Sequence, residues 1–411
     1  MSWHGYSLYI FFVIILFLFI YIRLKYRFWA IQPVFHFYDM YYWFVNKGII
    51  RKELPEKNKY TNFQKIKTIS FSKDILNKQN NNTREMKQFL YLIQNHYLKN
   101  KDNIFYPRKD NVIPYFMGLP MDSFISFYYE PILLEDTKNN SFVQEQKIIG
   151  AITTRPLHVT IVHTNKNKNI EFNVYYVDYL CVDKNYRKKN IAPQLIQTHE
   201  YNQSYQNKQI SVSLFKREGE LTGIVPICVY KTYCFHMKSW TTPFAFPIEY
   251  TLLKGDSQNL YYLYTFIKEN INKWGITVLP EISNLIELVK TGNVYIYMVL
   301  QEQTICAAYF FRKVCTSISM GKEVLSCFAS IFKNQELDET MFIHGFKLAV
   351  SSIVKEHKVF HYLTVEDCND NVLLVQNLLI KSKPYLVSPT AYFFYNFAYQ
   401  TFPAKKVFIL N

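Results

Sequence analysis

The chain has 411 residues, 49% of them apolar, which is enough for packed cores and exceeds one ordinary core. A formal net charge of +15 demands an anionic partner, either a phosphate-bearing ligand, an anionic membrane surface or nucleic acid. The chain carries no zinc-ligand spacing, RNA-binding signature or basic helix with a dimer zipper, so no nucleic-acid partner and no metal are expected. Its seven cysteines show no C-x-x-C pairing, which excludes a disulfide scaffold and fits buried thiols in a reducing compartment.

In chain order, residues 6–22 form an almost unbroken apolar run of about the minimum length for a membrane-spanning helix. No basic residue precedes it and no small-residue cleavage site follows, so it does not read as a signal peptide. Arg23, Lys25 and Arg27 follow at once, and by the positive-inside tendency they orient a single-pass protein with its large domain toward the cytosol. The alternative is a buried helix of the globular part. Residues 57–82 are polar and rich in Lys and Asn. Residues 83–98 place Met86, Phe89, Leu90, Leu92, Ile93 and Tyr97 at helical spacing. Residues 143–162 and 170–182 predict a hairpin with its tip at 163–169, followed by a helix from Ala192 and a strand over 208–214. The second part repeats the theme. Helices are predicted over 257–272, 340–357 and 372–380, a hairpin over 294–300 and 304–312, and strands over 359–365 and 391–397. A helix–hairpin–helix–strand unit occurring twice defines two α/β units joined near 239–247.

The stretch DYLCVDKNYRKKNIAP at 178–193 carries the most chemistry. It reads as an apolar strand, a basic turn and a helix start. A helix N-terminus offers unpaired N–H groups and a positive dipole end, which hold anions. Arg187, Lys188 and Lys189 add full charges, and Asn190 tolerates the left-handed backbone of a tight turn. The same residues also read as a solvated basic loop, since few glycines are present. Cys181 lies inside the motif, but no base is placed beside it in sequence, so a nucleophilic thiol is the minor reading.

This motif, YRFWAIQPV at 26–34, and YFFYNF at 392–397 followed by AKKVFILN at 404–411 together resemble the N-myristoyltransferase family. So do NHYL at 95–98, DNIF at 102–105, IGAI at 149–152 with Pro156, and TGIV at 222–225 leading to His236. The resemblance covers the chain from about Tyr26 to its last residue. It implies an α/β (α+β) fold of two tandem acetyltransferase-like (GNAT) halves forming one compact catalytic unit. The expected division is an anchor at 1–25, an acyl-CoA-binding half at 26–240 and a peptide-binding half at 241–411. The implied activity is transfer of a myristoyl group from myristoyl-CoA to the N-terminal glycine of proteins. Myristoyl-CoA serves as a substrate, and no cofactor is permanently bound.

The resemblance also assigns roles. Tyr26, Arg27, Phe28 and Trp29 match the segment that clamps acyl-CoA. Tyr179, Leu180, Cys181 and Val182 match the strand beside the thioester, and the amides of Tyr179 and Leu180 match an oxyanion hole that a bulge would create. Arg187, Lys188, Asn190, Ile191 and Ala192 match phosphate and pantetheine contacts, with Lys188 and Asn190 standing where the family usually has Ser and Arg. The implied base is the α-carboxylate of the last residue, here Asn411, which burial must make more basic. The family has a glycine near its end, whereas this tail is about one residue shorter and carries Phe408. Thr222 and Asp178 fall near the reacting amine, Asp178 replacing an Asn. Tyr97, Leu98, Asp102, Phe105 and Ser330 are candidate peptide contacts. An acidic cluster of the family becomes Lys99-Asn-Lys-Asp102, which predicts altered peptide charge preference. His236 matches a family histidine but reads equally as structural. Two rival functions stand beside this one: a different acyl-CoA-dependent N-acyltransferase, and an inactive membrane module that only binds acyl chains.

Overall fold

The computed structural model describes residues 3–71, 84–98, 103–136, 141–162, 169–219, 223–238, 240–319 and 321–411. The chain opens with helix α1 (Trp3–Lys25). Among the described residues no helix is long and apolar enough to cross a membrane. This overturns the expected transmembrane anchor at 6–22, the membrane as a partner, and the single-pass, cytosol-facing topology. The described side chains of 9–18 stand on this helix. Those side chains are mostly exposed, so the segment is not a core helix either.

The rest of the chain is built on one large sheet, beside a two-stranded pairing of 48–49 with 397–398. Its strands are β1 (Ile66–Ser70), β2 (Phe124–Asp136), β3 (Ser141–Ile161), β4 (Ile170–Val182), β5 (Ser213–Glu218) and β6 (Cys228–His236). They continue with β7 (Tyr250–Lys254), β8 (Ile276–Leu279), β9 (Val294–Gln301), β10 (Thr304–Ser319) and β11 (Lys322–Phe332). The last are β12 (Phe360–Glu366), β13 (Leu386–Tyr395) and β14 (Val407–Ile409). The spatial order is β14-β8-β3-β4-β5-β13-β6-β12-β11-β10-β9-β7, with β2 joining β1 to β3.

Two units share this sheet. The first runs α2 (Arg84–His96), β2, β3, β4, α3 (Ile191–Gln206), β5. In α2 the buried residues Met86, Phe89, Leu92 and Ile93 recur at helical spacing and seat it on the sheet. The second runs α4 (Leu260–Glu269), α5 (Ile282–Lys290), β9, β10, β11, α6 (Glu339–Glu356), β12, α7 (Asn371–Lys381), β13. Helix α6 starts at Asp338, whose carboxylate accepts from Met341 N at 2.7 Å. Gly345 in α6 is required by close approach, since a Cβ there would stand 2.6 Å from the Tyr309 hydroxyl. The two units interlock. Strand β13, from the second, lies between β5 and β6 of the first, and β14 pairs in parallel with β8, which itself pairs with β3.

Each unit contains one parallel pair that separates. β4 and β5 pair only over Tyr175–Val177 with Ser213–Phe215, and β4 then continues to Val182 paired with β3 but not with β5. β11 and β12 pair only as far as Cys327 with Val365, and β11 continues to Phe332. The first opening is lined by the motif strand. Against the end of β11 packs the tail, where Phe408 and Leu410 join Phe328, Ala329 and Ile331 in one core.

Candidate active site

The site starts from an irregularity in β4. Thr153 faces Tyr179 and Thr154 faces Val177, so Asp178 is an extra, bulged residue. The expected bulge is therefore present. Its first amide is engaged, because Tyr179 N–H donates to Thr153 Oγ1 at 3.1 Å. Leu180, next in line, is 37% exposed at the opening. Cys181 is buried, and its thiol reaches only Leu92 O at 3.7 Å. Burial pushes that thiol up to about 12, which is inert rather than nucleophilic.

After Val182 the chain makes the basic turn. Asp183 Oδ1 accepts from Asn185 N at 3.0 Å, Lys188 and Asn190 take left-handed backbone (φ 66° and 58°), and Ile191 begins α3. No side chain caps this helix start, so its amides face outward beside the exposed Lys188 and Lys189. Arg187 departs from the expected cradle. Its Nε donates to Val182 O at 3.2 Å and its Nη2 to His96 O, so it latches the turn to α2. Ala192 is half-buried at the first turn of α3.

The segment 26–34 lies across the same opening. Trp29 stacks on Phe215 of β5 at 5.8 Å, and Phe28 packs on Tyr60 at 5.2 Å. Gln32 donates to Gln197 of α3 at 3.2 Å and accepts from the Tyr395 hydroxyl at 2.7 Å. Arg27 is exposed, and Tyr26 is half-buried beside Gly223. On the other side of β4 the rings of Tyr97, Phe105 and Tyr179 form a wall, with Tyr97 at 5.1 Å from Phe105 and 5.6 Å from Tyr179. Leu98 packs beside them. Ser330 does not join that wall surface; it is fully buried, with its N–H on Asn369 Oδ1 at 3.0 Å. His236 packs on Tyr362 at 4.8 Å, a structural position. Thr222, Asp102 and the run 99–102 lie outside the described residues.

Residues 407–411 run inside the protein. Phe408 stacks on Trp274 at 4.2 Å, Leu410 N–H donates to Val278 O at 2.9 Å, and Asn411 is 6% exposed. The side chain of Asn411 bridges the two units. Its Oδ1 accepts from Arg312 Nη2 at 2.8 Å, and its Nδ2 donates to the Tyr176 hydroxyl at 2.5 Å. A buried charged network surrounds it. Arg312 stands 3.7 Å from Glu366, which accepts from Lys216 at 2.8 Å and from the Tyr230 hydroxyl. Burial opposes the Glu366 carboxylate, but Lys216 and Arg312 outweigh it and hold its pKa below the ordinary value. Arg155 Nε donates to Asp178 Oδ2 at 2.9 Å. Burial raises the Asp178 carboxyl above its ordinary range, and Arg155 offsets this in part.

Arg155, Tyr176, Arg312 and Glu366 were not singled out in the sequence. A signal was available. Arg155 interrupts the largely apolar stretch 148–161, and Arg312 and Glu366 each follow an apolar run.

The geometry is that of two tandem α/β units with a strand opening, a bulge and a basic helix start. Comparison with known proteins agrees. The family description "Myristoyl-CoA:protein N-myristoyltransferase, N-terminal domain" matches residues 56–228. A protein of Amsacta moorei entomopoxvirus that carries the name glycylpeptide N-tetradecanoyltransferase is 26% identical over 209 residues, covering 48% of this chain and 67% of that protein. The crystal structure of Saccharomyces cerevisiae N-myristoyltransferase with bound myristoyl-CoA superposes with a TM-score of 0.68 at 13% identity, over 92% of this chain and 94% of that one. A tandem GNAT protein of the clavulanic acid biosynthesis pathway reaches 0.52 at 10% identity, over 82% and 100%.

Proposed function

We propose that this protein is an acyltransferase that moves a myristoyl group from myristoyl-CoA to the N-terminal glycine amine of proteins. The observation that carries the reading is the opening beside β4, where the bulge at Asp178 meets the basic start of α3. Asn411 is buried within the fold, held between Tyr176 of one unit and Arg312 of the other. Direct attack on a thioester needs a base at that opening, and Asn411 is the residue proposed to supply it. The likeness to the myristoyl-CoA-bound yeast enzyme and the family match over 56–228 support the same donor.

In this reading the half at 26–240 takes the donor and the half at 241–411 contributes to the acceptor side. Phe28 and Trp29 brace the donor, and Lys188, Lys189 and the amides of Ile191 and Ala192 hold its phosphates. Leu180 N–H, joined by Tyr179 N–H when Thr153 releases it, stabilises the oxyanion. The Asn411 carboxylate removes the amine proton, and Tyr97, Phe105 and Tyr179 wall the acceptor. The amine attacks the thioester carbon directly, coenzyme A leaves as the thiol, and no covalent enzyme intermediate forms.

The test is incubation of the full chain with myristoyl-CoA and a panel of glycine-initiated peptides, read by mass spectrometry. The expected product carries one myristoyl group on the glycine nitrogen. Absence of product across the panel, with donor binding intact, refutes the proposed reaction.

A further inference from the structure

Arg155 is fully buried, yet both terminal nitrogens of its guanidinium, Nη1 and Nη2, have no hydrogen-bond partner. A guanidinium that gives up water without a replacement acceptor is costly, so such a group marks a place where a ligand supplies the acceptor. Its position is defined on three sides. Nε is fixed on Asp178 at 2.9 Å, and the Tyr115 and Tyr176 rings lie 5.3 and 5.5 Å from Cζ. Tyr115 is only half-buried, and it covers Arg155 from the side of the short helical turn Ile113–Phe116. Asp178 is the bulged residue immediately before Tyr179 and Leu180, and its bond to Arg155 uses only Oδ2. A carboxylate acceptor and two spare guanidinium donors thus stand side by side at the strand opening.

We propose that Arg155 and Asp178 form a two-point clamp for an α-amino carbonyl unit. Arg155 donates to the carbonyl oxygen of the acceptor's first residue, while Asp178, which the resemblance already places near the reacting amine, accepts from that amine. This rests on the acceptor reading given above, and it narrows it. A primary amine without a neighbouring carbonyl is then a poor acceptor, because it leaves the Arg155 nitrogens unpaired. Arg155 is a binding and specificity residue in this scheme, and the proton still leaves to another group.

The experiment compares two acceptors on the full chain with myristoyl-CoA saturating. One is a glycine-initiated peptide; the other is the same peptide with its first carbonyl reduced to a methylene. Binding by calorimetry and kcat/KM by mass spectrometry are measured for each. The wild type favours the carbonyl acceptor by roughly 10–100-fold, the range of one hydrogen bond from a charged donor. In the double variant Arg155→Met/Asp178→Asn, which removes the pair together, the ratio falls to near one, mainly through KM. Arg155→Lys keeps the charge but not the fork, so it gives an intermediate ratio and serves if the double variant fails to fold. A wild-type ratio in either variant overturns the clamp. So does a shifted pH profile with the ratio unchanged, which would place Arg155 on the tail carboxylate instead. If no protein transfers the acyl group, the reaction proposed above fails, while the calorimetric ratio still decides the clamp.

Discussion

Asn411→Leu separates the last side chain from the last carboxylate. The substitution keeps the carboxylate and the number and branching of side-chain heavy atoms, but it removes the bonds to Arg312 Nη2 at 2.8 Å and to the Tyr176 hydroxyl at 2.5 Å. A hydrogen bond from a charged donor contributes about 1.5–3 kcal/mol and a neutral one about 1 kcal/mol. Arg312 retains Glu366 at 3.7 Å after the change. The sum is about 2–4 kcal/mol acting on the position of the final residue. Leu410 N–H on Val278 O and the Phe408–Trp274 stack are untouched, so the strand stays docked while the carboxylate loses its orientation. Single-turnover transfer from preloaded myristoyl-CoA should fall roughly 30–1000-fold, with donor affinity unchanged. Asn411→Gln, one methylene longer, should lose less. A rate for Asn411→Leu within about threefold of the wild type would show that the Arg312–Asn411–Tyr176 bridge plays no part in positioning the base.

Replacing Lys188 and Lys189 with Ala should weaken myristoyl-CoA binding and flatten its salt dependence in calorimetry; unchanged affinity returns the turn to a solvated loop. Arg187→Ala should instead lower the melting temperature, because its guanidinium holds Val182 O and His96 O. Burial raises the Glu200 carboxyl to about 7 from an ordinary 4.5, so the folded protein holds a proton that the unfolded chain releases in that window. The stability it contributes is full below pH 4.5 and is lost as the pH rises through 7. Glu200→Gln should therefore match the wild type in denaturant titrations near pH 4 and exceed it at pH 8 by on the order of 3 kcal/mol. Equal stability at pH 8 contradicts the buried-acid account. Cys181→Ala should keep transfer within roughly tenfold, since a thiol pushed up to about 12 is no nucleophile; a total loss in a folded protein reopens the thiol route.

Much of this was legible where pattern and chemistry coincide. The strand over 170–182 and the helix that starts after Asn190 occur as predicted, because an apolar alternation ends at a turn that only a left-handed residue closes. The helix predicted over 83–98 is Arg84–His96, and the hairpin at 294–312 is present and longer. Strands β2, β6, β8 and β11 escaped notice. β8 is four fully buried residues, too short for any periodicity to declare itself. The interlocking of β13 between β5 and β6 was invisible, because pairing across more than 150 residues leaves no local trace. The apolar run at 6–22 misled, since among the described residues no helix is long and apolar enough to cross a membrane. Arg187 was read by its charge as a ligand contact, whereas geometry turns it inward. For Asn411 the reading gave no part to its side chain, and the structure shows two units meeting on it.

One comparison tests the central claim most directly. The chain ending at Asn411 and the same chain extended by a short tag are each given myristoyl-CoA and a glycine-initiated peptide, with donor binding and product measured together. The account predicts equal donor binding, myristoylated glycine from the native chain, and a loss of roughly 10²–10⁴-fold or more in the extended one, the weight of a general base. Equal transfer by both proteins would contradict it, and so would donor binding by the native chain without any transfer.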